Sequence, residues 1–251
     1  MKKIIRLVGD RMNKLEPIIY ILRDETSYLI GLSTLPEVES KFYLEEGVIN
    51  KSECQLIYLT SGLNWSLADY IYYQITKPRE REVISTAEQE LKNKFFNFFW
   101  ELDVIDRIIE DKLRELTELL AHYGLEDKVE QKIIDITELE EVKLPNSNQT
   151  KEAYQLLQGR RLYQSEIRKL LRQNQVQVAN LNKILVYLKL KEAIQIIPSI
   201  KYSDSGINCQ RCGSQEQLVK QDCNYCGLED HYCEECILMG EARSCRPLYL
   251  I

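Results

Sequence analysis

The sequence predicts an α+β fold that is mainly helical, and three observations support this prediction. Short runs of β-branched and aromatic residues, such as residues 17–22 and 27–32, predict a small β-rich N-terminal part. Apolar residues then recur every three or four positions over residues 87–122, which predicts one long amphipathic helix. Seven of the eight cysteines lie within residues 209–251, six of them in Cys-x-x-Cys pairs. That clustering predicts a separate cysteine-rich module at the C-terminal end.

Residues 1–145 are expected to form the N-terminal α+β domain. Residues 23–26 are a plausible hairpin connection between the first two runs, and residues 41–44 and 54–59 are predicted as further strands. Asn64 can cap a helix that starts at Trp65 and runs to about Thr76.

The long helix 87–122 has clear start and stop signals. Thr86 with Gln89 fits a capping box, and Gly124 suits the position after the last helical turn. We interpret the helix as a core element packed on the β-rich part. The alternative is a coiled-coil arm that makes a dimer, so the oligomeric state stays open.

A polar break at residues 145–150 separates this domain from a small basic unit, residues 151–200. Three short helices followed by a strand at residues 193–197 are compatible with a winged-helix arrangement. The unit holds nine Lys or Arg against three Asp or Glu, whereas the whole chain has a net charge of −6. A surface that contacts phosphates is therefore one interpretation, and an ordinary solvated helix face is the other. The candidate cations are Arg160, Arg161, Arg168, Lys169, Arg172, Lys183, Lys189 and Lys191.

Residues 201–251 are predicted to be a zinc-binding module. Each Cys-x-x-Cys turn directs two thiolates to one centre, and two turns supply the four sulfur ligands that Zn²⁺ prefers. One zinc on Cys209, Cys212, Cys233 and Cys236 is the simplest assignment. A second zinc would use Cys223, Cys226 and Cys245, with His231 as a candidate fourth ligand. A third arrangement pairs Cys209 and Cys212 with Cys223 and Cys226. In the four-cysteine arrangements thiolates fill every coordination position, which favours a structural metal over a catalytic one.

The C-terminal half resembles the late-competence ComFA proteins. The resemblance rests on the segments Cys209-Gln-Arg-Cys-Gly213, Tyr232-Cys-Glu-Glu-Cys-Ile-Leu-Met-Gly240 and Cys245-Arg-Pro-Leu-Tyr249, together with Leu157-Gln-Gly-Arg-Arg-Leu162. It implies a helicase-like ATPase of the bacterial DNA-uptake machinery, acting on incoming single-stranded DNA at the cytoplasmic side of the membrane. In the shortest fingers of the family the zinc ligands correspond to Cys209, Cys212, Cys233 and Cys236.

The ATPase motor itself has no counterpart in the sequence. No GxxxxGK[ST] motif occurs, so we expect no nucleotide-phosphate loop and no enzymatic activity from this chain alone. The sequence resembles the front end of such a protein. No apolar run predicts an export signal or a membrane-spanning helix, so a cytoplasmic location is expected.

Two functions remain in contention at this point. The first is a non-catalytic region that binds single-stranded DNA and assists a competence ATPase and other DNA-uptake proteins. The second is a protein-docking scaffold built on the zinc ribbon, which makes no contact with nucleic acid. Convergence of the cations on one face would favour the first, and scatter would favour the second.

Overall fold

The computed structural model combines helices with several small antiparallel sheets, which confirms the α+β class but not a mainly helical chain. Within the part of the chain that it describes there are six α-helices and eleven strands. The described residues are 16–24, 27–51, 54–77, 101–135, 139, 141–224, 226–240 and 242–251.

The N-terminal region is built on a four-stranded antiparallel sheet of order β2-β1-β3-β4. Both predicted strand runs at the start of the chain and the predicted strand at residues 54–59 belong to this sheet. Its centre is apolar, because Ile19, Ile21 and Leu59 are completely buried. The strands are β1 (Ile18–Arg23), β2 (Tyr28–Ser33), β3 (Gln55–Thr60) and β4 (Val129–Asp135).

Helix α1 (Pro36–Glu45) lies where the sequence predicted a strand at residues 41–44, so that prediction is wrong. Pro36 in the first turn and two glutamates near the N-terminus favour a helix there. The buried residues Leu35, Val38 and Phe42 follow helical rather than alternating spacing. The four-residue apolar run was therefore one part of a longer amphipathic pattern.

Two further helices complete the N-terminal region. Helix α2 (Trp65–Thr76) has its predicted bounds, and the Asn64 side chain accepts a hydrogen bond of 2.8 Å from the Leu67 N–H. Helix α3 (Glu101–His122) is the described part of the predicted helix 87–122, and residues 86–100 lie outside the described ranges. Gly124 follows its end with a φ of +66°. Four α3 side chains are buried with the sheet and α2, so this part is a core helix: Ile105, Ile109, Leu116 and Leu120.

Residues from 147 onward form a unit of three helices on a three-stranded sheet of order β5-β11-β6, which is compatible with the predicted winged-helix arrangement. The predicted unit 151–200 therefore obtains its third strand from the C-terminal residues. The 48 residues 199–246 are inserted between β6 and β11, where a winged-helix domain has a hairpin loop. The elements are α4 (Ser147–Leu157), β5 (Arg161–Leu162), α5 (Gln164–Gln173), α6 (Leu181–Leu190), β6 (Gln195–Pro198) and β11 (Pro247–Leu250).

Helix α6 packs against α1 of the N-terminal region. Val186 is buried with Leu35 and Val38, and the rings of Tyr187 and Phe42 meet edge to face at 5.8 Å. Lys189 Nζ lies 2.9 Å from Glu39 Oε1, whose side chain is 2 % exposed. In helix-turn-helix proteins the second helix of the motif reads the DNA major groove. Here the face of α6 that contains Val186 and Lys189 is covered by α1.

The inserted residues 199–246 form the cysteine-rich module. One hairpin is made of β7 (Ile200–Ser203) and β8 (Gly206–Cys209), and a second of β9 (Leu218–Asp222) and β10 (Glu229–Cys233). A 3₁₀-helix, Glu234–Met239, follows the second hairpin. Both ends of the β9–β10 hairpin therefore carry cysteines, and these cysteines belong to two different clusters.

Candidate metal centres and basic surface

The first cluster joins Cys209, Cys212, Cys233 and Cys236, with all four sulfurs within 4.8 Å of one another. The Cys209–Cys236 sulfurs are 3.8 Å apart and the Cys212–Cys233 sulfurs 3.5 Å apart. A tetrahedron with Zn–S bonds of ~2.3 Å has S···S edges of roughly 3.8 Å, so the spacing fits zinc. The two outer Cys-x-x-Cys pairs therefore lie together, as the simplest assignment requires.

The backbone of the first turn presents its two thiols by a defined hydrogen-bond pattern. The Gly213 N–H donates to the Cys209 carbonyl at 2.9 Å, and the Cys209 N–H donates to the Ser214 carbonyl at 2.9 Å. Gly213 adopts a φ of +85°, a conformation that glycine enters without steric cost. A Cys-x-x-Cys-Gly sequence thus closes a tight loop around one pair of ligands.

Burial makes this cluster dependent on a cation. Cys209, Cys233 and Cys236 are inaccessible to solvent, whereas Cys212 is exposed. Desolvation raises the pKa of the Cys212 and Cys236 thiols, whereas at Cys209 desolvation is outweighed by backbone hydrogen bonds, which lower the pKa. Four thiolates in such a site require a positive ion to stabilise their charge. The cluster is compatible with zinc, and its four cysteines leave no open coordination position.

The second cluster joins Cys223, Cys226 and Cys245, also within 4.8 Å of one another. The Cys223 and Cys245 sulfurs are 3.8 Å apart. His231, the candidate fourth ligand from the sequence, points elsewhere: its Nδ1 lies 2.9 Å from the Tyr202 hydroxyl. Burial lowers the pKa of His231 and raises that of Tyr202 to about 12. The sequence-based alternative of a shared site for the 209–212 and 223–226 pairs is not what the structure forms.

Arg211 connects the first cluster to helix α5. Its Nη2 lies 3.0 Å from Glu166 Oε1, and its guanidinium stacks 4.7 Å from the centre of the Tyr163 ring. Glu166 in turn accepts a hydrogen bond of 2.7 Å from the Tyr163 N–H, which closes a capping box at the start of α5. A metal in the first cluster would therefore fix a side chain that holds the N-terminus of α5.

The eight candidate cations divide into two groups of four. Lys189 and Lys191 form ion pairs with Glu39 and Glu46 of the N-terminal region. Lys183 donates to the Lys143 carbonyl at 3.2 Å, and Arg161 donates to the Gln210 carbonyl at 2.9 Å. These four side chains are engaged within the chain. The others are exposed: Arg160, Arg168, Lys169 and Arg172.

Three of the exposed cations share one face of α5. Arg168, Lys169 and Arg172 are spaced i, i+1 and i+4, and none forms an ion pair among the described residues. Arg168 and Arg172 line an open groove of about 620 Å³ toward the start of α6, where no acidic side chain contributes. At the opposite end of α5, Ser165 and Arg246 line a second groove of about 520 Å³. Sequence reasoning missed Arg246, because it lies outside the basic segment.

Comparison with known proteins identifies the C-terminal half. Residues 146–250 match the family model described as the competence protein ComFA N-terminal domain. This stretch contains the three-helix unit and its cysteine-rich insertion, and the match confirms the sequence-based resemblance over these residues. The search of curated proteins and the search of solved structures gave no match. Among the described residues, no helix is long and apolar enough to cross a membrane.

Proposed function

We propose that residues 146–250 are a non-catalytic accessory region that binds single-stranded DNA for a competence-type DNA-uptake ATPase in the cytoplasm. The observation that carries the proposal is the cationic face of α5, where Arg168, Lys169 and Arg172 are exposed and two of them line an open groove. Three cations spaced along one helix can follow successive phosphates of a flexible strand. Coverage of α6 by α1 disfavours the alternative of sequence reading in a duplex major groove.

A structural Zn²⁺ on Cys209, Cys212, Cys233 and Cys236 supports this surface in the proposal. The metal would fold the inserted module, since residues 199–246 bury few apolar side chains. Arg211 would then connect the zinc site to the first turn of α5 through its ion pair with Glu166. The metal would thereby order the first turn of α5, while Ile167 and Leu171 hold the helix to the core of the helical unit.

The test is the affinity of the full chain for a fluorescent oligothymidylate at several salt concentrations. Combined Arg168→Ala, Lys169→Ala and Arg172→Ala changes should weaken binding of every oligonucleotide alike. The slope of log K against log salt should become flatter by about 2, since each phosphate contact on a single strand contributes ~0.7. A purely electrostatic surface also predicts little dependence on base sequence.

A matched control removes the same charge from elsewhere. Arg107, Arg114 and Lys151 are exposed and lie outside the α5 face. Changing all three to alanine should leave affinity and salt slope close to those of the unchanged protein. Equal losses in both triple variants would reduce the interaction to net charge and would remove the α5 face from the proposal.

One observation favours a second candidate, the protein-docking scaffold. Leu238 in the 3₁₀-helix is 99 % exposed and the adjacent Ile237 is 50 % exposed, so the module presents two apolar side chains to solvent. In this alternative, Ile237→Ser with Leu238→Ser abolishes association with other competence proteins. DNA affinity that is unmeasurable in the unchanged protein, together with that loss, would establish docking in place of DNA binding.

We also propose that this chain alone hydrolyses no nucleoside triphosphate. The proposal rests on the sequence, in which no Gly-rich phosphate loop with its lysine occurs. The measurement is phosphate release from ATP with and without single-stranded DNA. Turnover that survives repurification and disappears on changing a residue of this chain would contradict it.

A further inference from the structure

The second cysteine cluster repeats the backbone geometry of the first. The Gly227 N–H donates to the Cys223 carbonyl at 2.8 Å, as Gly213 does to Cys209. The Cys223 N–H donates to the Leu228 carbonyl at 3.0 Å, as Cys209 does to Ser214. Gly227 has a φ of +72°, and both loops have the sequence Cys-x-x-Cys-Gly. Two loops with the same hydrogen bonds present their thiol pairs in the same way.

Cys245 supplies a third sulfur from a distant part of the chain. It lies immediately before β11, and its sulfur is 3.8 Å from that of Cys223. That separation matches the S···S edge of roughly 3.8 Å expected around one tetrahedral zinc. Three thiols from two segments therefore converge in one site, which lacks only a fourth ligand.

Asp230 lies beside this three-sulfur site, in contact with Cys245. Its side chain is completely buried, and Oδ2 lies 3.9 Å from the Cys245 sulfur. Its other oxygen, Oδ1, has no hydrogen-bond partner among the described residues. A buried carboxylate oxygen without a partner is costly unless it binds a cation or a donor. A Zn–O bond of ~2.0–2.2 Å and a Zn–S bond of ~2.3 Å place oxygen and sulfur about 3.5 Å apart, close to the observed distance.

We propose that Cys223, Cys226, Cys245 and Asp230 form a second zinc site, with a Cys₃Asp ligand set distinct from the Cys₄ set of the first cluster. The charges agree with this assignment. Three thiolates and one carboxylate around Zn²⁺ leave two negative charges, and Arg243 Nη1 lies 3.6 Å from Asp230 Oδ2 to offset part of them.

The proposed site has a defined structural effect. It ties the tip of the β9–β10 hairpin to the segment that leads into β11. Cys223, Cys245 and Arg246 together line the groove at the N-terminal end of α5. Zinc at this site would therefore hold Arg246 at the N-terminal end of α5.

The test is the zinc content per chain, measured by elemental mass spectrometry on the whole chain after purification under reducing conditions. The unchanged protein should hold two zinc ions. Cys245→Ser should lose one and keep the other, and Cys236→Ser should show the converse. One zinc in the unchanged protein, with the Cys245→Ser variant holding the same amount, would overturn the proposal.

The aspartate assignment needs a variant that preserves shape. Asp230→Asn keeps the side-chain volume. Competition with a chromogenic chelator should show that the second site of this variant binds zinc at least about tenfold more weakly. Glu229→Gln is the matched control, because Glu229 is exposed and pairs with Lys220 at 2.7 Å on the surface. His231→Gln tests the ligand that the sequence suggested. Zinc affinity that is unchanged in Asp230→Asn, or that is weakened only in His231→Gln, would exclude Asp230 as the ligand.

Cobalt substitution provides a readout that folding alone does not change. The intensity of thiolate-to-cobalt charge-transfer absorption follows the number of bound thiolates. The unchanged protein should therefore show the intensity of seven cobalt–thiolate bonds per chain, four from the first cluster and three from the second. Asp230→Asn should retain that intensity and shift only the ligand-field bands, whereas Cys245→Ser should lose the contribution of the second site. An Asp230→Asn spectrum identical to that of the unchanged protein would contradict the assignment.

Discussion

The sheet region and the cysteine-rich module bury very different side chains. In residues 16–135 the interior contains large apolar and aromatic groups, including the completely buried Tyr20, Leu56 and Ile71. In the described part of residues 199–246, Ile200 and Ala242 are the only buried apolar side chains apart from cysteines. The first region can be stabilised by the hydrophobic effect, whereas we propose that the second is stabilised by metal ligation.

The two regions are nevertheless in direct contact. The Ser66 N–H donates to the Ser244 carbonyl at 3.0 Å, and the Ser66 hydroxyl donates to the Ile200 carbonyl. The Asn64 amide donates to the Glu229 carbonyl at 3.2 Å. The N-terminus of α2 therefore packs on the module, and a region with a large apolar core supports one that has almost none.

Metal removal should have the largest effect, and it should unfold the cysteine-rich module but not the sheet region. Chelation, or Cys236→Ser, should unfold much of residues 199–246, since the first cluster is the centre of that module. Amide hydrogen exchange should rise throughout the module and remain slow in β1 and β3. Cys54→Ser is the control, because Cys54 lies in the core of the sheet region and should not alter zinc content. Exchange that rises equally in both regions would show one cooperative unit.

A cavity in the apolar core should destabilise the sheet region and leave the zinc content of the module unchanged. Leu120→Ala removes a completely buried side chain from the core shared by α3, α2 and the sheet, and should cost about 2–5 kcal/mol of unfolding free energy. Urea denaturation followed by circular dichroism measures the loss. Zinc content should not change. Leu119→Ala, at a half-buried position of the same helix, should cost clearly less. Zinc loss on Leu120→Ala would mean that the module depends on this core.

The contact between α1 and α6 should show an intermediate effect. Lys189→Met leaves the buried Glu39 carboxylate without its cation and should cost about 1–3 kcal/mol. Lys191→Met breaks the exposed pair with Glu46 and should have a smaller effect. Adding Glu39→Gln to Lys189→Met should restore part of the stability, because the uncompensated charge is then removed. Equal effects of the two lysine changes would argue against a buried pair.

The sequence predicted local features well where the signal was local. Asn64 marked the start of α2 through its capping side chain, and Gly124 marked the end of α3 through its positive φ. The spacing of the cysteines predicted that the two outer Cys-x-x-Cys pairs share one site, and their sulfurs lie together in the structure. The four-residue run at 41–44 was misassigned, because so short a segment does not separate strand from helix.

Features that depend on distant segments were not predicted. Lys189 was grouped with surface cations, yet its partner Glu39 is 150 residues away in the sequence. Asp230 was not predicted to lie beside the second cluster, because nothing in its sequence neighbourhood distinguishes it from other acidic residues. The repeated Cys-x-x-Cys-Gly sequence could have assigned the 209–212 and 223–226 pairs to separate loops of one type.

The smallest effect should distinguish two asparagine caps. Asn64 accepts from the Leu67 N–H and also donates to the Glu229 carbonyl of the module, whereas Asn146 caps α4 by accepting from the Asn148 and Gln149 N–H groups. Loss of a cap costs about 1 kcal/mol, so Asn146→Ala should destabilise the chain by roughly that amount. Asn64→Ala should cost somewhat more, because the Glu229 carbonyl also loses a donor.

The two variants should differ more in the module than in global stability. Hydrogen exchange in the β9–β10 hairpin should accelerate in Asn64→Ala, because the contact from α2 to its Glu229 end is lost. Asn146→Ala should leave that hairpin unchanged, because Asn146 is exposed and its side chain caps α4. Identical exchange in the two variants would mean that metal ligation alone sets the stability of the module. Faster exchange confined to Asn64→Ala would show that the sheet region supports the module through the first turn of α2.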